Sequence, residues 1–598
     1  MDSYSNALIQ GRTALNEFDS LFRDEMDRLR QWGKRIAQEN PTLAPFLGEA
    51  AADPNVERLK TGFALLAARL RGKIDDAFPE ITQSLLERVW PFPLQSIPST
   101  TLIQFSATRN KRHINESLTI AKGAKVYGLN KGKKITFITA QPLSIEPLKI
   151  IKRTLLRRND STDIELLFKY YGKGDLWKTR TLSLYCGNNE KNAALLRYYL
   201  NCHLSKTCFT CNDEWTTLDL SSPLSETPAR NHLVLPDSTP VFWPLQLLAE
   251  YYYLKHTQDF ITLDFGKFLP SIKLAADNTF TLRFRLDAPL PLHSIDDCFL
   301  LNCVPAVNLE EKTSAAIAFA QGRSRYEIPL AENEGIYRIH GLAHRYNATK
   351  ADEREQEDLY YPVAQFHQHQ HPFSSEEAPL CYYQHCPEDN LIGETKNVLR
   401  FYNRQLEPLT DRNGQAFICR YTGFAWQVDP ACQIDTISAD VAPGLKVRNI
   451  TPFTPVLPAV YASQTHWHAV INHLSMSSVL LGHKEKIVQV LEDLGFHARY
   501  DATLRASIAR RIDSIVAVEA APADCLIRGV VVRGQQMHLT LDPAAFEHVS
   551  EMYQFANVLN TLFTFCLSES SFYQLNVINA RTSETWTFAW VSGQRPIM

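Results

Sequence analysis

The spacing of apolar residues changes near Pro98, and that change limits what the chain can fold into. Before residue 95, apolar residues recur every three or four positions, as they do on an amphipathic helix. After Pro98, stretches such as "TLIQFSA" and "KKITFITAQPLSI" alternate apolar and polar residues, as strands do. The sequence therefore predicts an α+β protein, with an N-terminal helical bundle region, β-rich domains and a mixed C-terminal domain.

The N-terminal region is predicted to contain three helices. The first covers residues 16–39 and carries Trp32 on its apolar stripe. The second begins at Asp53, a natural N-cap residue, with Pro54 at the first helical position. The third follows Pro79 and ends at the "WPFP" sequence. Its inward face is predicted to consist of Ile81, Leu85, Leu86 and Val89.

The second of these helices has more than one face that can pack. Besides its apolar stripe, it carries a face of mostly small residues, which allows another helix to approach closely. Two interpretations stay open: the helix packs inside its own domain, or partner helices share it. The residues predicted to contact a partner in the second case are Trp32, Leu59, Phe63, Leu65, Leu66, Ala68, Leu70, Gly72 and Ile74.

The length of 598 residues exceeds what one hydrophobic core holds, so several domains are expected. We predict a helical region at 1–95, a β-rich domain at 96–275, a second β-rich domain at 276–440 and a mixed domain at 441–598. Residues 350–395 are polar and irregular, which is typical of a long loop or a domain junction.

Charge and composition exclude several classes of protein. The net charge of −3 gives no long-range attraction for nucleic acid. The N-terminus lacks a signal-peptide pattern, and no window approaches 18 uninterrupted apolar residues. Twelve cysteines without an export signal are expected to be mostly reduced thiols. These features predict a cytoplasmic protein without a membrane span.

Two clusters contain residue types that bind zinc. "FHQHQHPF" places His367, His369 and His371 at alternate positions, and "CYYQHC" follows it with Cys381, His385 and Cys386. "CHLSKTCFTC" offers Cys202, His203, Cys208 and Cys211, with one CxxC pair. Neither cluster has an established zinc spacing. We therefore predict surface histidines and buried or idle thiols, with no metal or other cofactor.

The sequence contains no short catalytic motif. "GAKVYGLNKGKK" has two glycines at the spacing of a phosphate-binding loop, but Leu129 replaces the required lysine. The adjacent acids at 75–76 and 296–297 point in different directions, so a structural role is expected. The basic run from Lys149 to Arg158 is interpreted as a solvated strand face. No residue is assigned to catalysis, and we predict that the protein is not an enzyme.

The segment from 53 to 99 resembles the start of the TssF family, also called VasA or ImpG, of bacterial type VI secretion systems. The family pattern there is "DPxVERLLEGFAFLAARVxxKLDDxFPExTxxLLxxLYPHYLxPxPS". Matching residues in this chain are Asp53, Pro54, Val56, Glu57, Arg58, Leu59, Gly62, Phe63, Ala64, Leu66, Ala67, Ala68, Arg69, Lys73, Asp75, Asp76, Phe78, Pro79, Glu80, Leu85, Leu86, Pro91, Pro98 and Ser99.

Later stretches also resemble this family. "FLLNCVPAVNL" is similar to the family's "FxLNCTPVVNLF", although Glu310 replaces the final phenylalanine. "HWHAVINHLSMSSVLL" is similar to "xWRLISHLSLNxLSL", with His468 in the position of the arginine. Residues 350–440 fit the family pattern poorly.

The resemblance implies a structural role in the secretion baseplate and a fold like that of contractile phage baseplate wedge proteins. Two copies of a TssF chain would join one TssG in a wedge, and TssE would link the wedge to the sheath. TssK would connect the wedge to the membrane complex, and six wedges would surround the spike hub, VgrG. The protein would then be cytoplasmic and docked at the inner membrane through the baseplate.

Two alternatives from other classes stay open. One is a cytosolic hydrolase or carbohydrate-binding protein on a β-rich scaffold, with zinc at His367–His371 or Cys208–Cys211. The other is a wedge protein of a phage-tail-like particle, whose architecture is shared with the secretion baseplate.

Overall fold

The structure is a computed structural model, and parts of the chain are described. The described residues are 61–63, 85–107, 116–172, 181–210, 215–218, 233–236, 240–254, 257, 259–264, 278–345, 360–363, 381–389, 395–403, 407–409, 416–438, 444–459, 469–473, 482–527, 530–567 and 571–593.

Strands dominate this part of the chain, as the alternating pattern predicts. Those before residue 290 are β1 (Thr100–Ala107), β2 (Leu118–Ile120), β3 (Lys125–Asn130), β4 (Lys133–Thr139), β5 (Leu143–Ile145), β6 (Leu148–Arg157), β7 (Thr162–Tyr170), β8 (Thr181–Tyr185), β9 (Leu204–Thr210), β10 (Trp215–Leu218), β11 (Phe260–Asp264) and β12 (Thr279–Leu286). Those between residues 300 and 450 are β13 (Leu300–Leu301), β14 (Cys303–Val307), β15 (Glu310–Thr313), β16 (Ile317–Ala318), β17 (Arg325–Glu327), β18 (Glu334–Arg345), β19 (Tyr360–Pro362), β20 (Cys381–Asp389), β21 (Thr395–Tyr402), β22 (Ala416–Ala425), β23 (Ile434–Ile437) and β24 (Leu445–Asn449). The remaining strands are β25 (Ile515–Ile527), β26 (Val530–Leu541), β27 (Phe572–Asn579), β28 (Thr585–Thr587) and β29 (Val591–Ser592).

Helices occur mainly in the middle and last parts of the described chain. The α-helices are α1 (Glu190–Cys202), α2 (Trp243–Tyr253), α3 (Lys484–Leu494), α4 (Ala502–Asp513) and α5 (Val549–Phe565). Short 3-10 helices lie at Phe92–Leu94, Pro240–Phe242, Phe496–Tyr500 and Pro543–Ala545. Residues 61–63, 85–89 and 469–473 are also helical. Among the described helices, none combines the length and the apolar character needed to cross a bilayer.

A six-stranded sheet in the order β23-β3-β4-β14-β1-β24 gathers strands that are distant in sequence. The hairpin of β3 and β4 turns at Lys131 and Gly132, whose φ angles of 49° and 80° suit a two-residue turn that follows the strand twist. The sheet contains strands from three of the predicted segments, on both sides of residues 275 and 440. Strand pairing across residues 275 and 440 does not by itself locate domain boundaries, so the predicted domain limits stay a prediction.

A five-stranded sheet in the order β10-β9-β12-β7-β6 packs against α1. Strand β12 alternates between half-buried and buried positions along its whole length, so one of its faces lies in a core. Asn189 caps α1 by accepting from the N–H of Asn192 at 3.1 Å. The helical pattern of "NAALLRYYL", residues 192–200, predicts this helix, and the structure confirms it.

Two four-stranded sheets share an aromatic core between residues 317 and 421. One sheet is formed by β15, β16, β18 and β22, and the other has the order β17-β21-β20-β19. The prediction of a long irregular stretch over 350–395 is wrong for its described parts, because β19 and β20 lie there. Isolated short strands with many polar residues carry little alternation, which is why the sequence pattern missed them.

The C-terminal part combines α3, α4 and α5 with a sheet in the order β25-β26-β27-β28, and β29 also pairs with β27. Strands β26 and β27 are parallel and are joined through α5, which is buried along most of its length. The pattern of "IRGVVVRGQQMHLTL" predicts a hairpin, but most of the segment forms one strand, β26. Its antiparallel partner is β25. The alanines and the proline of β25 are not typical of a strand, so the sequence pattern did not indicate one there.

Candidate assembly surface

Residues 85–90, at the end of the predicted N-terminal helical region, are anchored in a core. Residues 85–89 are helical, and the N–H of Trp90 donates to the Leu86 carbonyl at 2.8 Å. Leu86 and Trp90 are 0% and 1% exposed, as expected for residues four apart on one helix face. Pro91 and Pro93 then stop the helix, and Phe92–Leu94 continue as a 3-10 turn.

Aromatic rings from distant parts of the chain surround this anchor. The Trp90 ring stacks near Phe92, with centroids 5.8 Å apart, and lies 6.2 Å from the ring of Phe242. Phe242 in turn contacts Phe565, the last residue of α5, at 5.6 Å. Aromatic burial is a large favourable contribution, so this cluster holds Trp90 and Phe92 against distant parts of the described chain.

A buried histidine holds the chain just after the anchor. His497 Nε2 lies 2.8 Å from the Gln95 carbonyl, and the backbone N–H of His497 donates to the Tyr253 hydroxyl at 3.1 Å. Burial lowers the pKa of His497 to about 4, although the Gln95 carbonyl favours the protonated ring. The ring is therefore neutral at physiological pH, and it donates from Nε2 to Gln95.

Two apolar side chains ahead of the anchor are exposed to solvent. Phe63, in the helical residues 61–63, is 61% exposed, and Leu85 is 46% exposed. Leu85 was predicted to face inward together with Leu86. That prediction is wrong for Leu85, because the helix turns Leu86 and Trp90 into the core, and the adjacent position must then point away.

Of the predicted partner-contacting residues, the structure describes Phe63. The others, which are Trp32, Leu59, Leu65, Leu66, Ala68, Leu70, Gly72 and Ile74, lie outside the described residues. Their role stays a prediction. We use the term helical surface for the exposed side chains of Phe63 and Leu85, which lie at two separate helical positions, and large exposed apolar groups of this kind mark interaction sites in many proteins.

The histidine-rich candidate metal site falls mostly outside the described residues, which include none of His367, His369 and His371. The following "CYYQHC" segment is part of β20, where Cys381 is buried. His385 Nε2 lies 3.0 Å from Asn397 Oδ1, and burial lowers the pKa of His385 to about 4. This histidine is engaged within its own sheet.

The second metal candidate is dispersed by the fold. Cys202 ends α1, Cys208 lies within β9, and Cys211 is outside the described residues. His203 Nδ1 lies 3.0 Å from an Asp287 carboxylate oxygen. Within the described ranges, no group of three or more His, Cys, Asp or Glu residues is arranged to hold a metal ion.

The described cysteines are free thiols, and several are inert through burial. Burial raises the pKa of the Cys298 thiol to about 11 and that of Cys303 to about 12. A thiol with a raised pKa is a poor nucleophile, because the thiolate is the reactive form.

The other candidates from the sequence have structural roles. Ser294 donates to the Asp296 carboxylate at 2.6 Å, so this acid belongs to a local turn. In the basic run, Arg153 Nε donates to the Cys298 carbonyl at 2.7 Å, while Ile151 is 48% exposed. Leu129 lies near the turn of the β3–β4 hairpin and is 62% exposed.

The sequence analysis missed the role of the Trp90 anchor. It used the "WPFP" segment only as a helix end, whereas the structure shows two of its aromatic side chains fully buried. Two large aromatic residues between prolines were the available signal, since such residues are seldom left in solvent without a reason.

These features define a multidomain, strand-rich protein of mixed architecture, with exposed apolar side chains at Phe63 and Leu85. The particular family follows from comparison with known proteins. Residues 14–595 match the family described as "Type VI secretion system, TssF". The chain therefore belongs to the TssF family.

Individual relatives agree with this family. The type VI secretion system component TssF1 of Pseudomonas aeruginosa is 33% identical over 135 residues, which is 22% of this chain and 22% of that relative. In a solved TssK-TssF-TssG baseplate subcomplex, one chain has a TM-score of 0.70 and 21% identity, over 89% of this chain and 98% of that chain. In a solved type VI secretion baseplate complex, one chain has a TM-score of 0.56 and 21% identity, over 97% of this chain and 99% of that chain. The structural matches establish a shared fold.

Proposed function

We propose that this chain is a structural subunit of a type VI secretion baseplate, where it assembles with TssG and TssK. The observation that carries the proposal is the family match over residues 14–595. The fold shared with a chain of the TssK-TssF-TssG subcomplex supports it.

The helical surface gives this role a physical basis. Phe63 and Leu85 expose apolar area that water disfavours, and burying one such side chain against a partner contributes about 1.5–3 kcal/mol. Leu85 lies in the helical turn just before the Trp90 anchor, so a partner bound at Leu85 contacts a part of the chain that is held in a core. An anchored apolar surface suits a permanent subunit contact.

The finer proposal concerns the wedge and its connections. Two copies of this chain join one TssG, and the other contact residues are those predicted on the first two N-terminal helices. The wedge also meets TssE, the VgrG spike hub and, indirectly, the sheath, and it docks at the inner membrane from the cytoplasm. It holds the sheath extended and transmits the firing signal through rearranged interfaces. The proposed role requires no catalytic residue.

The test is co-expression of this chain with the TssG of the same bacterium, with the affinity tag on TssG. Phe63→Asp places a charge on the helical surface and should reduce the recovered chain at least tenfold. Leu129→Asp is the matched control, because Leu129 is 62% exposed against 61% for Phe63 but lies on a β-hairpin. Equal recovery of the two variants, or no recovery of the unaltered chain, would exclude the proposed contact.

A further inference from the structure

A small cavity lies where α1, α4 and the first turn of α5 meet. Its volume is about 120 Å³, enough for a few non-hydrogen atoms. Lys191 lines it from α1, Arg510 and Arg511 from α4, and Ser550 and Gln554 from α5. The predicted partner contacts include none of these residues.

Three buried polar groups that line this cavity lack a hydrogen-bond partner. They are Ser550 Oγ, Arg511 Nε and Gln554 Nε2. Ser550 and Arg511 are only 2% and 3% exposed, so bulk water does not satisfy them. A buried donor left without an acceptor costs about 1–3 kcal/mol, which makes three around one space unusual. All three can donate, so the missing group is an acceptor.

The helix that begins at the cavity adds to this preference. Helix α5 has 17 residues, and its N-cap residue, His548, makes no side-chain cap hydrogen bond. The positive end of a helix dipole and its free N–H groups favour an anion. The buried Ser550 and Arg511 side chains are an independent indication of the same ligand chemistry.

The charges around the cavity limit the charge that a ligand can carry. Glu551 is paired with Arg511 at 2.5 Å and also accepts from the N–H of Glu547 at 3.1 Å. Asp259 is paired with Arg197 at 3.3 Å. Lys191 and Arg510 are exposed cations at the rim, where Glu190, Glu547 and His548 also lie. Acids and bases are nearly balanced, so a doubly charged phosphate is less suitable than a monoanion.

We propose that this cavity binds a carboxylate group. One carboxylate oxygen accepts from the Ser550 hydroxyl and the other from Arg511 and Gln554, while Lys191 and Arg510 supply the compensating charge. The group comes either from a small organic acid or from an acidic side chain of a partner protein. The proposal is independent of the assembly role.

The test uses saturation-transfer NMR of acetate with the full chain. Transfer to the acetate methyl group gives a dissociation constant, which should rise at least tenfold in Ser550→Ala and in Gln554→Leu. Arg505→Ala is the matched control on α4, and it should stay within twofold of the unaltered chain. An unfolding midpoint close to that of the unaltered chain shows that each variant is folded.

Competition with other ligands distinguishes the two sources. If the blocked tripeptide acetyl-Gly-Glu-Gly-amide displaces acetate at lower concentration than unlabelled acetate does, the source is a protein side chain. If it does not, the source is a small acid. No transfer to acetate, dissociation constants in the two cavity variants equal to that of the unaltered chain, or tighter binding of inorganic phosphate would overturn the proposal.

Discussion

The Asn308 side-chain amide donates a 2.7 Å hydrogen bond to the backbone carbonyl of Thr136, on β4. Its oxygen accepts from the N–H of Ala425, at the end of β22, also at 2.7 Å. Asn308 is 3% exposed, so one buried amide connects the six-stranded sheet to a four-stranded sheet. This asparagine belongs to the "VNL" stretch that resembles the family pattern.

Replacing this amide should loosen the junction of the two sheets. Asn308→Leu leaves the Ala425 N–H without its acceptor and the Thr136 carbonyl without its side-chain donor, which should lower the unfolding free energy by about 2–4 kcal/mol. Urea unfolding measures the loss. Asn188→Leu is the control, because Asn188 makes a single, exposed hydrogen bond to the Ile450 carbonyl. Equal losses would contradict a special role for Asn308.

The Trp90 anchor should contribute strongly to stability. Trp90→Ala removes a side chain that is 1% exposed, and a core substitution of this kind costs about 3–5 kcal/mol. Leu85→Ala, in the adjoining helical turn, should cost less than about 1 kcal/mol in the isolated chain because Leu85 is 46% exposed. Urea midpoints of the two variants compare them. A larger loss for Leu85→Ala would show that the helix faces are assigned wrongly.

Acid should destabilise the chain through His497. Its pKa is lowered to about 4 in the folded chain, against roughly 6.5 when unfolded, so between these values only the unfolded chain binds the proton. Stability therefore falls as pH falls through this window, by at most about 3 kcal/mol for this group. His497→Gln keeps a donor for Gln95 and does not titrate.

The measurement is the urea unfolding free energy of both proteins from pH 7 to pH 4. The advantage of the unaltered chain over His497→Gln should shrink steadily as the pH falls. His385, whose pKa is also lowered to about 4, is present in both proteins and cancels in the difference. If the difference in unfolding free energy between the two proteins did not change with pH, His497 would have the same pKa in the folded and the unfolded chain.

A buried carboxylate joins two strands of the five-stranded sheet. Asp163 on β7 accepts from Arg285 on β12 at 3.0 and 3.2 Å, and also from Arg158 at 3.2 Å. Asp163 is 0% exposed, so Asp163→Asn should cost about 2–3 kcal/mol in urea unfolding.

Its neighbour on the same strand supplies the control. Glu165 pairs with Arg283 at 2.7 Å, but both side chains keep about a fifth of their surface exposed. Glu165→Gln should therefore cost less than about 1 kcal/mol, as partly solvated ion pairs do. If Glu165→Gln were the more damaging change, burial would not be what makes the Asp163 pair important.

Local patterns were enough to predict many of the elements. Alternation identified β1, β7 and β12, and the helical period identified α1 and α3, because each of these elements buries one face. Strand β25 was missed because Pro522 and its alanines are poor strand formers, and its pairing with β26 supplies what propensity does not.

Local sequence patterns were not enough to predict the candidate site. The spacing of apolar residues could not say that Leu85 faces solvent, since Leu85 and Leu86 are both suitable for a core. Only the position of Trp90 against Phe242, far along the chain, decides which face is buried. The cavity beside α5 brings together three helices that are distant in sequence, so no local motif could indicate it.

The most direct test of the assembly role is the mass of the complex that this chain forms with TssG. Native mass spectrometry of the co-expressed and co-purified proteins should show two copies of this chain for each TssG. A chain that is recovered only as a stable monomer, with no bound TssG, would contradict the account.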